Sequence, residues 1–196
     1  MNDSVSIKWL LEEGFLPDAI INYLLSLGDK TPQEIFLLPD TEKWFDIKNV
    51  SKTPIKFDID RLRFINRKHL EMMDNKTLSS LFNFADVDIG KLAKVYLGKL
   101  STLNELKAKI KIIFTPKSYY GEWAEQMKII SRLIIDAPVL DTFNELKKYI
   151  SEKSGLTNKE LLKPLGLLIT GEENEAKLSE IYPYIKPYIT EIVRCN

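Results

Sequence analysis

The sequence has one cysteine, Cys195, and one histidine, His69. A single thiol excludes a disulfide framework and any cysteine-based zinc site, and it fits a reducing, cytoplasmic location. His69 has no cysteine or carboxylate cluster at ligand spacing, so no metal site is expected and the residue reads as structural. With 8 glycines and 9 prolines among 196 residues, the fibrous and low-complexity classes are excluded. No Gly-rich phosphate loop is present. The Thr170-Gly171 turn runs into Glu172-Glu173, acidic where a phosphate would need amides and lysine. No apolar run approaches the roughly 20 residues of a membrane-spanning helix. The opening residues, MNDSVSIKWLLEEG, lack the basic-then-apolar order of a signal peptide. Paired acids such as Glu12-Glu13 fall on the outer face of an amphipathic helix, a place for solvation and not for acid–base work. Residue chemistry alone therefore marks no active site.

What is present is helical periodicity and an uneven spread of charge. Apolar residues make up 44% of the chain, enough to bury a core. Lysine plus arginine equal aspartate plus glutamate at 28 each, so only their distribution is informative. Arg61, Arg63, Arg67 and Lys68 cluster, and Lys91, Lys94, Lys99, Lys107, Lys109 and Lys111 surround Glu105 alone. A helix is expected behind an Asp3/Ser4 cap with Gly14 ending it; Pro17 restarts the helix and Gly28 closes it. Thr31-Pro32 should open a helical turn reaching Phe36, and Pro39-Asp40-Thr41 another. Residues 50–57 read as extended, and everything from about Leu70 as helical. Thr157 with Glu160 looks like a capping box, and breaks are expected at Pro116, Pro183 and Pro187. Trp123, Trp44, Phe82 and Phe143 sit on apolar stripes and are expected in the core.

Two blocks carry a resemblance. Residues 14–28, GFLPDAIINYLLSLG, and residues 51–70, SKTPIKFDIDRLRFINRKHL, resemble in order and spacing the bacterial (class I) glutamyl-tRNA synthetases. Residues 161–188 are similar to that family's closing Pro-Leu-Arg, Leu-Thr-Gly and Gly-Pro-x-Leu pattern, with Pro164, Leu165, Leu168, Thr170, Gly171 and Leu178 in place. The resemblance implies a mainly α fold. Residues 1–70 would form a helical stem-contact domain with a short extended segment. Residues 71–196 would form an all-helical anticodon-binding cage with a possible sub-boundary near 116. It implies a tRNA-binding, C-terminal piece of a monomeric glutamate–tRNA ligase, with ATP, magnesium and catalysis belonging to the preceding half of the parent. The chain alone would then be inactive. Stem contacts would come from Arg61, Arg63, Asn66, Arg67 and Lys68, and anticodon contacts from Lys99, Gly166, Thr170 and Glu175.

The departures from the family pattern concern specificity. Lys99 stands where an arginine is common, Gly166 replaces the arginine of Pro-Leu-Arg, and Ala176-Lys177 replaces Gly-Pro. Lysine lacks the planar fork that grips a base edge at two points. The expected partner is therefore tRNA(Glu), tRNA(Gln) or both. A stand-alone helical scaffold is the alternative; it needs only the amphipathic stripes and leaves the 61–69 block unexplained.

Overall fold

The computed structural model describes residues 6–28, 31–49, 56–173 and 177–194, and every regular element among them is helical. Asp3, Ser4, residues 50–55, Glu175, Ala176 and Cys195, each named above, lie outside the described residues.

The chain opens with α1 (Ile7–Glu12), capped by Ser6, whose Oγ accepts the Trp9 N–H at 3.1 Å. Gly14 has φ +87°, and a side chain there would strike the Asn104 backbone nitrogen at 2.6 Å. This glycine thus serves both the turn and a close approach from a distant helix. Pro17 starts α2 (Pro17–Gly28), which buries Ala19, Ile20, Asn22 and Tyr23. Residues 32–35 form bends instead of the expected helical turn. Phe36 and Asn22 explain why: the Phe36 N–H bonds to Asn22 Oδ1 and the Glu34 carbonyl accepts from Asn22 Nδ2, so a side chain supplies the partners a helix would. A single helical turn, α3 (Leu38–Thr41), follows, and Phe36 meets Trp44 edge-on at 5.0 Å.

Asp58 caps α4 (Ile59–Met72), accepting the Asp60 and Arg61 N–H groups at 3.0 Å. This helix belongs to two cores. Leu62 and Ile65 pack with Leu10, Phe15, Ala19, Ile20 and Tyr23 in a small cluster, whereas Leu70 joins the large one. The large core is enclosed by α5 (Asn75–Ser80), α6 (Val87–Val95), α7 (Leu103–Phe114), α8 (Ala124–Ile135), α9 (Phe143–Ser154), α10 (Asn158–Thr170), α11 (Leu178–Ile185) and α12 (Ile189–Ile192). The backbones of α5 and α6 come so close that a Cβ on Gly90 would lie 2.0 Å from the Asn75 carbonyl oxygen.

Capping boxes occur at Thr102/Glu105 and Thr142/Glu145. At Thr157 the side chain caps nothing, and the next residue, Asn158, is left-handed at φ +49°, out of line with a helical first turn. Pro164 and Pro183 both lie inside helices, so Pro183 does not interrupt α11; the break falls at a short 3-10 turn containing Pro187. Phe82 and Phe143 are buried, Trp123 is half-buried against the large core, and Trp44 is half-buried beside Phe36.

Candidate nucleic-acid interface

Five residues of α4 were singled out by the sequence, and the helix splits them between a buried seam and an open face. Asn66 is fully buried: its Oδ1 accepts the Leu16 N–H at 2.7 Å and its Nδ2 donates to the Ser101 carbonyl at 2.6 Å. It joins the start of α2 to the start of α7 and offers no surface to a ligand. Arg63 turns the same way, its Nη1 lying 2.8 Å from both Ser101 Oγ and Glu105 Oε1. Burial pushes the Glu105 carboxyl up, but hydrogen bonds from Arg63, Ser101 and Thr102 and the Arg63 charge outweigh it and hold the group below its ordinary value.

Arg61, Arg67 and Lys68 remain outward or half-outward. Arg61 is 3.7 Å from Glu34, and Lys68 is 2.6 Å from Glu71 and 5.8 Å from the ring centre of exposed Phe64. Arg67 has no ion pair among the described residues, and its Nε is buried without a partner. Arg61, Arg63 and Lys68 thus pair with Glu34, Glu105 and Glu71, while Asp58 is taken up in capping the helix. The open face of α4 therefore carries a cation, an aromatic ring and a half-free guanidinium, the groups that meet phosphates and bases.

A second basic cluster lies beyond the α4–α7 seam, around a small cavity of about 80 Å³ lined by Tyr96, Lys99, Leu100, Lys109, Glu172 and Lys177. Lys109 Nζ is 2.6 Å from Glu172 and 4.9 Å from the Tyr96 ring centre. Lys177 donates to the Val95 carbonyl and stands 5.9 Å from the same ring. Lys99 is exposed at the rim and has no ion pair among the described residues. Two further sequence candidates shape this rim from beneath. Thr170, fully buried, donates to the Gly166 carbonyl at 3.0 Å and accepts the Glu172 N–H at 3.3 Å, closing α10 where Gly171 turns left-handed. Gly166 is buried, and a Cβ there would meet the Glu172 carbonyl oxygen at 2.5 Å. Its missing side chain is what lets the Glu172 turn fold back onto α10.

Sequence reasoning missed the Tyr96–Lys109 centre of this cluster. The available signal was Lys109 itself, almost fully buried within the apolar stripe Leu106, Ile110 and Ile113. A lysine in such a stripe needs a partner.

Glutamate–tRNA ligase 2 of Sulfurovum sp. is 52% identical over 191 residues, which is 97% of this chain and 45% of that protein. Glutamate–tRNA ligase 1 of Nitratiruptor sp. is 48% identical over 189 residues, 96% of this chain and 44% of that protein. The chain is similar to glutamate–tRNA ligases over nearly its whole length. It is similar to their C-terminal part and spans about 45% of the length of the curated relatives it matches. Among solved structures, the glutamate–tRNA ligase of Elizabethkingia meningosepticum superposes with a TM-score of 0.66 at 20% identity, covering 94% of this chain and 41% of that one. That places the ligase fold on the helical arrangement described above. No family model matches.

Proposed function

We propose that this chain is the tRNA-binding part of a glutamate–tRNA ligase, the enzyme that joins glutamate to tRNA using ATP with magnesium. The relationship carrying the reading is the 52% identity extending over 97% of the chain. In this reading the open face of α4, with Arg61, Arg67 and Lys68, meets phosphates of the tRNA stem region. Arg63 and Asn66 hold that face in place from behind. Lys99, at the rim over the Gly166–Thr170 framework, meets the anticodon. No helix among the described residues is long and apolar enough to cross a membrane, and the reading puts a monomeric enzyme in the cytoplasm.

The finer question is which tRNA is read. Glutamate and glutamine anticodons differ at the third base alone. Discrimination by a good bidentate contact is worth roughly 1–3 kcal/mol, and Lys99 is a flexible point charge that cannot make one. Gly166 adds no side chain. The parent enzyme therefore accepts tRNA(Gln), giving a Glu-tRNA(Gln) that a separate amidotransferase would correct. Charging of both purified tRNAs by the full-length enzyme tests this. Strict preference for tRNA(Glu) that survives Lys99→Ala would overturn the specificity reading. Failure of the chain itself to bind any tRNA would overturn the whole assignment and return it to a helical scaffold.

A further inference from the structure

A larger cavity, of about 440 Å³, opens beside the C-terminal half of α7, where Leu81, Phe82, Asn83 and Phe84 of the α5–α6 connection face Lys107, Ile110, Lys111 and Phe114. It is apart from both clusters described above. Three observations give it a chemistry. Its floor is aromatic: half-exposed Phe84 and Phe114 stand with ring centres 4.9 Å apart at 44°, and Tyr188 braces Phe114 edge-on at 5.6 Å. Tyr188 is itself fixed, its hydroxyl donating to Asp86 Oδ2 at 2.6 Å. Its rim is cationic: Lys107 and Lys111, one helical turn apart, are exposed and have no ion pair among the described residues, and no carboxylate lines the cavity. At its mouth sits Asn83, exposed and left-handed at φ +66°, with a side-chain amide that bonds to nothing among the described residues.

Unpaired ammonium groups beside two tilted, half-exposed aromatic rings, next to a free amide, fit an aromatic ring carrying a phosphate. We propose that this cavity holds an unpaired nucleotide of the bound RNA, its base on the Phe84/Phe114 surface and its phosphate between Lys107 and Lys111. A free mononucleotide would gain the same few contacts but pay the whole entropy of immobilisation, whereas a nucleotide already tethered by the α4 face is supplied at high effective concentration. The inference therefore rests on the tRNA-binding reading.

The test compares the wild-type chain with Lys107→Ala/Lys111→Ala, with Phe84→Leu, and with the charge-matched control Lys153→Ala/Lys159→Ala. Affinity for a tRNA transcript is measured by fluorescence anisotropy across a salt series, and folding is checked by circular dichroism melting. The paired lysine variant should weaken binding by on the order of tenfold and lower the salt slope by about 0.7 for the phosphate lost. Phe84→Leu, which keeps apolar bulk but removes the ring face, should weaken binding about fivefold with an unchanged salt slope. The control should stay within about twofold of wild type. Binding equal to wild type in both test variants, or an equal loss in the control, overturns the nucleotide cavity while tRNA binding stands. Absence of tRNA binding by the wild-type chain overturns both.

Discussion

Arg63 Nη1 lies 2.8 Å from Glu105 Oε1 across the seam between the two cores, while Oε2 of the same carboxylate accepts the Ser101 and Thr102 N–H groups at 2.7 and 3.0 Å. One side chain thus caps α7 and ties it to α4. Arg63→Ala keeps the cap and removes the tie. Because both side chains are about one-third exposed, the cost should be modest, about 1 kcal/mol of stability in urea denaturation.

The same carboxylate gives a pH dependence. Its folded value is held below the ordinary 4.5, so its contribution to stability is complete above that pH and is lost as pH falls through the folded value. Wild-type protein should therefore lose stability on acidification to below about pH 4.5 more steeply than Glu105→Gln. Parallel curves from thermal melts between pH 6 and 3 would count against it.

His69 acts in the same direction at a higher pH. It is buried, with Nε2 2.9 Å from Asn22 Oδ1, and burial lowers its pKa from 6.5 more than nearby Asp18 raises it. The folded state therefore takes up its proton less readily than the unfolded state. Stability from this group is complete above about pH 6.5 and declines as pH drops below it. His69→Gln should flatten the melting-temperature profile between pH 7 and 5.

Asn66→Ala separates structural from binding roles on α4. It strands the Leu16 N–H and the Ser101 carbonyl in the interior, at a cost of about 1–3 kcal/mol. Assayed well below its melting temperature, this variant should bind tRNA nearly as the wild type does, whereas Arg67→Ala/Lys68→Ala should bind more weakly with a shallower salt dependence.

Gly90→Ala tests the close approach of α5 and α6. The added methyl would meet the Asn75 backbone at 2.0 Å, a neighbour that cannot rotate away. A loss of about 3 kcal/mol is expected in chemical denaturation; a stabilised or neutral variant would mean that the two helices can separate freely.

Much of the fold was legible in local signals. Gly14, Pro17 and Gly28 marked helix limits because glycine and proline constrain the chain residue by residue, and the Asp58 cap follows from side-chain chemistry at one helix end. Partners supplied from a distance were not legible. Residues 32–35 avoid a helix because Asn22, remote in sequence, satisfies their backbone. The basic block on α4 looked uniform, yet Arg63 and Asn66 face the Ser101–Glu105 segment and only Arg61, Arg67 and Lys68 look outward. Periodicity gives the face of a helix; it does not say which neighbour covers that face.

The continuity of α4 has a mechanical consequence. Fourteen residues of unbroken helix, about 21 Å long, are embedded at one end in the small core and at the other in the large one. Bending between them would mean breaking a helix and the Asn66 and Arg63 bonds together. The two basic surfaces are thus mounted on one rigid gauge. A ligand bridging them would have to present contact points at the matching separation, because the protein would not bend to meet it.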